Sequence, residues 1–357
     1  MASGMVLRPV VFAWCLIFST FAVQAEASPA ATDFELQVSK LMDAYKCNAV
    51  YLDVGSNIGV QIRKLFEPSL YAHADPKMPL LARYFRNADI TRLLNATPPV
   101  LPIFDEHFGP APRCNVCAIG IEPNPRHADR LLALQHALRA AGAAVLILNG
   151  TAADVSDGTT VLQLSRSSAP WGPRVNDVGM TTLPVDTPTP RSIRGSSRLK
   201  AVRTVDLARL ILFIRGKLRQ RLSAQPQPPG ADSSHHGKIV MKLDTEGAEF
   251  RLLPHLIARK AACSVDFMFL EWHRVVTSTQ RAIKQNVTDT LALPGCNVVV
   301  SSLDDETFMY DGMPLPNNSV CEPSSWHGNG VSNQINRPQR GGGAALRSHH
   351  RTSTSIF

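Results

Sequence analysis

Short apolar runs alternate with segments of helical period along most of this chain, and that alternation constrains the fold more than any other feature. The runs are Ala49 to Val54, Cys117 to Glu122, Ala144 to Leu148, Lys238 to Leu243 and Val265 to Glu271. Each has the length and near-continuous hydrophobicity of a strand covered on both faces. Between them lie helical patterns. Residues 33 to 46 carry Phe34, Leu36, Val38, Leu41 and Met42, and the stretch after Gly59 carries Val60, Ile62, Leu65 and Phe66. Pro125 to Ala141 places Leu131, Leu132, Leu134, Ala137 and Leu138 on one face and stops at Gly142. Val205 to Leu218, Glu249 to Lys260 and part of Val275 to Leu293 also read as helices. Strands alternating with helices predict parallel βαβ units: an α/β fold with helices on both faces of the sheet. Ligands in such sheets bind at the carboxyl ends of the strands. Val298 to Ser301 and Thr307 to Tyr310 are close enough to pair, which would add an antiparallel edge.

The remaining segments read as additions. Residues 67 to 113 are Pro-rich and irregular with a helical patch near 79 to 94, and residues 165 to 200 and 219 to 237 read as loops rich in turn-forming residues. Thr159 to Leu164 is β-rich. Residues 322 to 357 are polar and rich in Gly, His and Arg, a composition that favours disorder. The hydrophobic fraction of 44% across 357 residues is ample for a real core. The net charge of +8 reads as a generally basic surface, because the arginines are scattered and no nucleic-acid-binding motif is present. No nucleic-acid partner is expected.

The N-terminus points to the secretory pathway. Arg8 precedes an apolar stretch from Val10 to Val23, and small-residue cleavage sites follow around Ala25 and Ala27. That stretch is shorter than the roughly 20 residues a membrane span needs. A signal peptide over residues 1 to 25 is therefore expected, with no stable membrane span after cleavage; an uncleaved anchor in the endoplasmic reticulum or Golgi is the minor alternative. Cysteine usage agrees. Cys15 lies in the signal segment, leaving Cys47, Cys114, Cys117, Cys263, Cys296 and Cys321, an even set that suggests disulfides of unspecified pairing. Cys114 and Cys117 could form half a metal site, but no second close pair of Cys or His completes it, which favours disulfides. Glycosylation sequons begin at Asn95, Asn149, Asn286 and Asn317.

Polar residues gather where the first strands end. Asp53 precedes a glycine turn, Gly55-Ser56-Asn57-Ile58-Gly59; Glu122 ends the second strand; Asn149 through Asp154 follow the third; Asp244 and Glu246, then Glu271 and His273, follow the last ones. The turn is not the dinucleotide Gly-x-Gly-x-x-Gly and lacks the Lys-[Ser/Thr] of a phosphate loop. A carboxylate just before it would repel a pyrophosphate but suit a ligand carrying an ammonium group. Glu122 could accept hydrogen bonds from two ribose hydroxyls. A ribose joined to an amino-acid head describes S-adenosylmethionine.

These stretches resemble the FkbM-type S-adenosylmethionine-dependent methyltransferases. The resemblance runs through "YLDVGSNIG", "IGIEPNP", "LNGTAADVSDGTTVL", "KIVMKLDTEGAEFRLL" and "MFLEWH", over roughly residues 48 to 312 with gaps. It implies a Rossmann-like class I methyltransferase domain within residues 33 to 321, with a mostly parallel seven-stranded sheet whose last strand is antiparallel, and usually O-methylation. Carried onto this chain, it places Asp53, Gly55, Ser56, Asn57 and Gly59 around the methionine part, Glu122 with Asn124 at the ribose, and Ala153 and Asp154 by the adenine. In that fold the first two strands are parallel neighbours, so Cys47 is expected to pair with Cys114 or Cys117. The spacing from Asp53 to Glu122 far exceeds the roughly 20 residues usual before a Rossmann acid, and the insertion at 67 to 113 accounts for it.

Lys242, Asp244, Glu246, Glu249, Glu271 and His273 are the candidates for chemistry. Methyl transfer to oxygen needs an aligned acceptor and usually a base for the hydroxyl proton. His273 suits the base by its ordinary titration range, and Asp244 could act as base or orient it. Asp244 and Glu246 could share a divalent ion, but capping of the next helix by Asp244 or Thr245 ranks above that, so no metal is assigned. The expected acceptor is a sugar or other hydroxylated molecule. A silent secreted binding protein on the same scaffold and an NAD-dependent oxidoreductase are the competing readings.

Overall fold

The computed structural model describes residues 32 to 71, 100 to 164, 181 to 183, 198 to 224, 235 to 273, 275, 277 to 302 and 314 to 321. The expected signal segment, the helical patch near 79 to 94, the Thr307 to Tyr310 strand and the polar tail lie outside these residues.

The apolar runs form the centre. In chain order the main sheet takes β1 (Ala49–Val54), β2 (Val116–Glu122), β3 (Ala144–Asn149), β8 (Ile239–Leu243), β9 (Phe267–Leu270) and β10 (Val299–Ser302). They lie side by side as β10-β9-β8-β1-β2-β3, every pair parallel. The chain thus winds outward from β1 to β3 and then outward again from β8 to β10. The switch point lies between β1 and β8, the place where an open α/β sheet forms its ligand crevice.

Alternation along β1 divides the core. Val50, Leu52 and Val54 pack with α1 (Asp33–Ala44), α5 (Leu207–Ala224), α6 (Glu249–Ala258) and α7 (Ser278–Leu291). Ala49 and Tyr51 face the other side with α2 (Val60–Phe66), α3 (Val100–Phe108) and α4 (Ala128–Ala140). Each fully buried Leu, Ile or Phe in these layers contributes roughly 1.5–3 kcal/mol. Capping fixes the helix starts: Thr32 and Glu35 form a reciprocal capping box on α1, and Thr277 and Gln280 do so on α7.

A second sheet, ordered β4-β7-β5-β6, is made of β4 (Thr151–Asp154), β5 (Gly158–Leu164), β6 (Thr181–Leu183) and β7 (Arg198–Asp206). It corrects the loop reading of residues 165 to 200 and the helix start at Val205: β7 begins inside that loop, and α5 follows it at Leu207. The apolar signal of β7 is weak because Leu199, Lys200, Ala201 and Arg203 are exposed, while Val202, Thr204 and Val205 are buried. Its place comes from backbone pairing to β4 on one side and β5 on the other. The helix α3 likewise stands inside the Pro-rich segment read as irregular, and α5 runs to Ala224, past the expected loop start at 219. β10, expected as half of a final pair, runs parallel to β9; the other half of that pair, Thr307 to Tyr310, lies outside the described residues.

Three disulfides are present: Cys47–Cys117, Cys114–Cys321 and Cys263–Cys296. Cys47 takes one of its two expected partners. Cys114 and Cys117 each bond a distant cysteine, so they do not form half a metal site. Among the described residues no helix is long and apolar enough to cross a membrane.

Candidate functional site

A cleft of about 620 Å³, open to solvent, sits at the carboxyl ends of β1, β2 and β8, against β4 and β5. Its floor is backbone. Gly55 has φ +85°, and a Cβ there would stand 1.7 Å from the Asp244 carbonyl oxygen. The turn after β1 and the end of β8 can approach this closely only without a side chain. Gly59, at φ +85°, starts α2 against Leu131 and Leu134 of α4.

Glu122 ends β2 in the cleft wall and is almost fully buried. Its Oε2 accepts the Asn57 N–H at 2.6 Å, and its Oε1 accepts the Asn124 N–H at 2.8 Å. Burial nevertheless pushes its pKa up to about 8, against the pull of those two N–H groups. Several buried polar atoms around it have no hydrogen-bond partner: Asn57 Oδ1, Asn124 Nδ2 and Asn149 Oδ1. Asn149 pairs in register with Glu122 across β2 and β3. Buried polar atoms are ordinarily satisfied, so such a group at a cleft marks where a ligand would complete the bonding.

Of the residues expected at the cofactor, Gly55, Asn57, Glu122 and Ala153 line the cleft, joined by Asp244 from the catalytic pair. The others lie behind it. Asp53 is fully buried, on the same face of β1 as Tyr51; its Oδ1 is 3.5 Å from the Tyr51 hydroxyl and 3.8 Å from Lys242 Nζ, and its Oδ2 has no hydrogen-bond partner. Burial raises its pKa, with Lys242 opposing. Ser56 donates its hydroxyl to the Asp53 carbonyl and so pins the turn. Asn124 caps the short turn before α4 by accepting the Arg126 N–H. Asp154 ion-pairs with Arg251 at 3.1 Å.

Lys242 holds the floor together. Its buried ammonium donates to the Gly55 carbonyl at 2.6 Å and pairs with Asp244 Oδ2 at 3.0 Å. Burial would lower its pKa, but Asp244 and Asp53 outweigh that and raise it.

At the rim the side chains from three loops and helices converge on His273. Its Nε2 lies 3.3 Å from Glu246 Oε2, 3.7 Å from Asp244 Oδ1 and 4.0 Å from Glu271 Oε1. Nδ1 is 3.3 Å from Oε1 of the fully buried Glu249, an ion-pair contact outside hydrogen-bonding geometry, and the same oxygen accepts the His273 backbone N–H at 2.9 Å. Burial would lower the imidazole pKa; Glu246 and Glu249 outweigh it and lift it to about 10. These neighbours favour the protonated ring, which is the opposite of what a general base needs. Burial in turn would raise the Glu249 pKa, and His273 overrides this and lowers it. Asp244, Glu246 and His273 each place a ligand atom within 4.8 Å of the others, so this rim could hold a metal ion.

The sequence reading did not find Leu162, which with Ala152 forms an apolar wall from the second sheet, nor His127, which also lines the cleft. Their signal was tertiary: β4 and β5 reach the cleft only because β7 pairs between them. Compared with known proteins, the chain matches no family model, no curated protein and no solved structure.

Proposed function

We propose that the chain is an S-adenosylmethionine-dependent methyltransferase that methylates a hydroxyl of a sugar or similar acceptor. The observation that carries this is Glu122: a buried carboxyl group at the carboxyl end of β2, next to the switch-point strand β1, clamped by two backbone N–H groups and facing a cleft, with acceptor capacity left for a pair of ribose hydroxyls. Ala152, Ala153 and Leu162 offer an apolar wall suited to an adenine. Asn57 Oδ1 and the turn before α2 border the end where an amino-acid head would lie. When bound, the cofactor supplies an activated methyl group. The protein's part is to orient the acceptor at Asp244 and Glu246 and to exclude water. The disulfides and the N-terminal segment support a place in the secretory pathway or outside the cell, with an anchored form in the endoplasmic reticulum or Golgi as the variant of the same reading. A second reading is a catalytically silent binding protein on this scaffold, favoured by His273 being held among Glu246, Asp244 and Glu249 at the rim instead of lining the cleft.

Calorimetric titration tests both. S-adenosylmethionine binds the wild type, NAD does not, and Glu122→Ala weakens binding by roughly 1.5–3 kcal/mol through loss of charge-assisted hydrogen bonds. Folded protein that gives no heat with S-adenosylmethionine ends both readings. Binding without turnover on any hydroxylated acceptor selects the silent one.

A further inference from the structure

We propose that Asp244, Glu246 and His273 form a binding site for one divalent cation at the rim of the cleft. Ligand bonds of about 2.1 Å place neighbouring donor atoms of one ion roughly 3.0–3.6 Å apart. The His273 Nε2 to Glu246 Oε2 distance of 3.3 Å lies in that interval, and Asp244 Oδ1 at 3.7 Å reaches it with a small side-chain rotation. One imidazole nitrogen with two carboxylate oxygens suits Mn²⁺ or Zn²⁺ better than Ca²⁺, which prefers oxygen alone.

A second feature is independent of the three ligands. Metal-bound histidines carry a carboxylate behind the other ring nitrogen, which fixes the ring and raises its basicity. Glu249 stands on that side of the ring, fully buried: its Oε1 lies 3.3 Å from Nδ1, outside hydrogen-bonding geometry, and holds the His273 backbone N–H at 2.9 Å, while its Oε2 is anchored by the Gly247 N–H at 2.8 Å and the Thr245 hydroxyl at 3.3 Å. The arrangement aims Nε2 at Asp244 and Glu246. In a plain ion-pair cluster the protonated ring faces Glu246 and Asp244, and Asp244 is also paired with Lys242. A divalent ion would take the place of the Nε2 proton, which is released on binding. Because Asp244 and Glu246 also line the cleft, the ion would keep coordination positions open toward it, where an acceptor hydroxyl or water could bind.

The test uses untagged, disulfide-intact protein and Mn²⁺ alone, without S-adenosylmethionine, so its outcome does not depend on the cofactor reading. Electron paramagnetic resonance follows free Mn²⁺. The wild type takes up about one ion per chain, and the Asp244→Asn, Glu246→Gln double variant binds at least tenfold more weakly. Glu249→Gln weakens binding by roughly 10–100-fold while leaving the ligands in place. Pulsed measurements on the wild-type complex show coupling to an imidazole nitrogen, a readout that needs no variant to fold. An undiminished free Mn²⁺ signal, equal binding by the folded double variant, or bound Mn²⁺ with no nitrogen coupling overturns the proposal.

Discussion

Two backbone N–H groups, of Asn57 and Asn124, end on one carboxylate, yet burial still lifts the Glu122 pKa from 4.5 to about 8. The sign of the consequence follows from linkage. Between pH 4.5 and 8 the folded chain keeps a proton on Glu122 that the unfolded chain has lost, so this residue's contribution to stability is present below pH 4.5 and is lost as pH rises through 8. Glu122→Gln removes that slope. The difference between wild-type and variant denaturation midpoints, followed from pH 5 to 8.5, isolates it from the other titrating groups. Hydroxyl donors change the sign of the local preference, because they favour the ionised carboxylate. Cofactor binding at pH 7 is then accompanied by release of about one proton, read by calorimetry in buffers of different ionisation enthalpy. A binding heat independent of buffer places the ribose away from Glu122.

At the scale of elements, what was legible in the sequence follows burial on both faces. β1, β2, β3, β8 and β9 are buried along their length, and each reads as a continuous apolar run. Gly55, Asn57, Glu122 and Asp244, which end or directly follow such runs and line the cleft, were legible because a strand end fixes where they stand. β7 was not, since pairing and not apolar pattern defines it, and neither was the burial of Asp53, which depends on Lys242 arriving from β8 some distance along the chain. The segment 314 to 321 is another element set by tertiary bonds. Val320 and Cys321 donate their N–H groups to the Ala141 carbonyl, Arg63 donates to the Pro314 carbonyl at 2.8 Å, and the Cys114–Cys321 bond fastens the end. Replacing Cys114 and Cys321 with Ser releases this strap. Hydrogen exchange is expected to speed up at Val320 and Cys321 while the amides of β1 and β8 keep their protection; unchanged exchange at the strap would show that the hydrogen bonds alone hold it.

For the whole molecule, the two edges of the main sheet divide the work. Cys47, Cys117 and Cys114 lie at or before the starts of β1 and β2, Cys263 and Cys296 precede β9 and β10, and Cys321 is tied to the turn before β3. Every disulfide therefore staples the amino-terminal edge, and the cleft opens at the carboxyl edge, where the loops are free of covalent constraint. A chain that folds in an oxidising compartment also meets the glycosylation machinery, and its sequons can be sorted by edge and exposure. Asn286 is exposed on α7 and Asn317 is exposed on the strap, so both accommodate a glycan. Asn95 lies outside the described residues. Asn149 ends β3 on the cleft edge, half-buried, in register with Glu122, and its Thr151 is buried in β4. A glycan there would stand where the adenine is proposed to lie or break β4 away from β7. Glycopeptide mapping of protein secreted from a eukaryotic host is expected to find Asn149 bare and Asn286 occupied. Heavy occupancy of Asn149 in protein that still binds S-adenosylmethionine would remove the end of β3 from the cofactor's surroundings, and the assignment of Ala153 to the adenine would go with it.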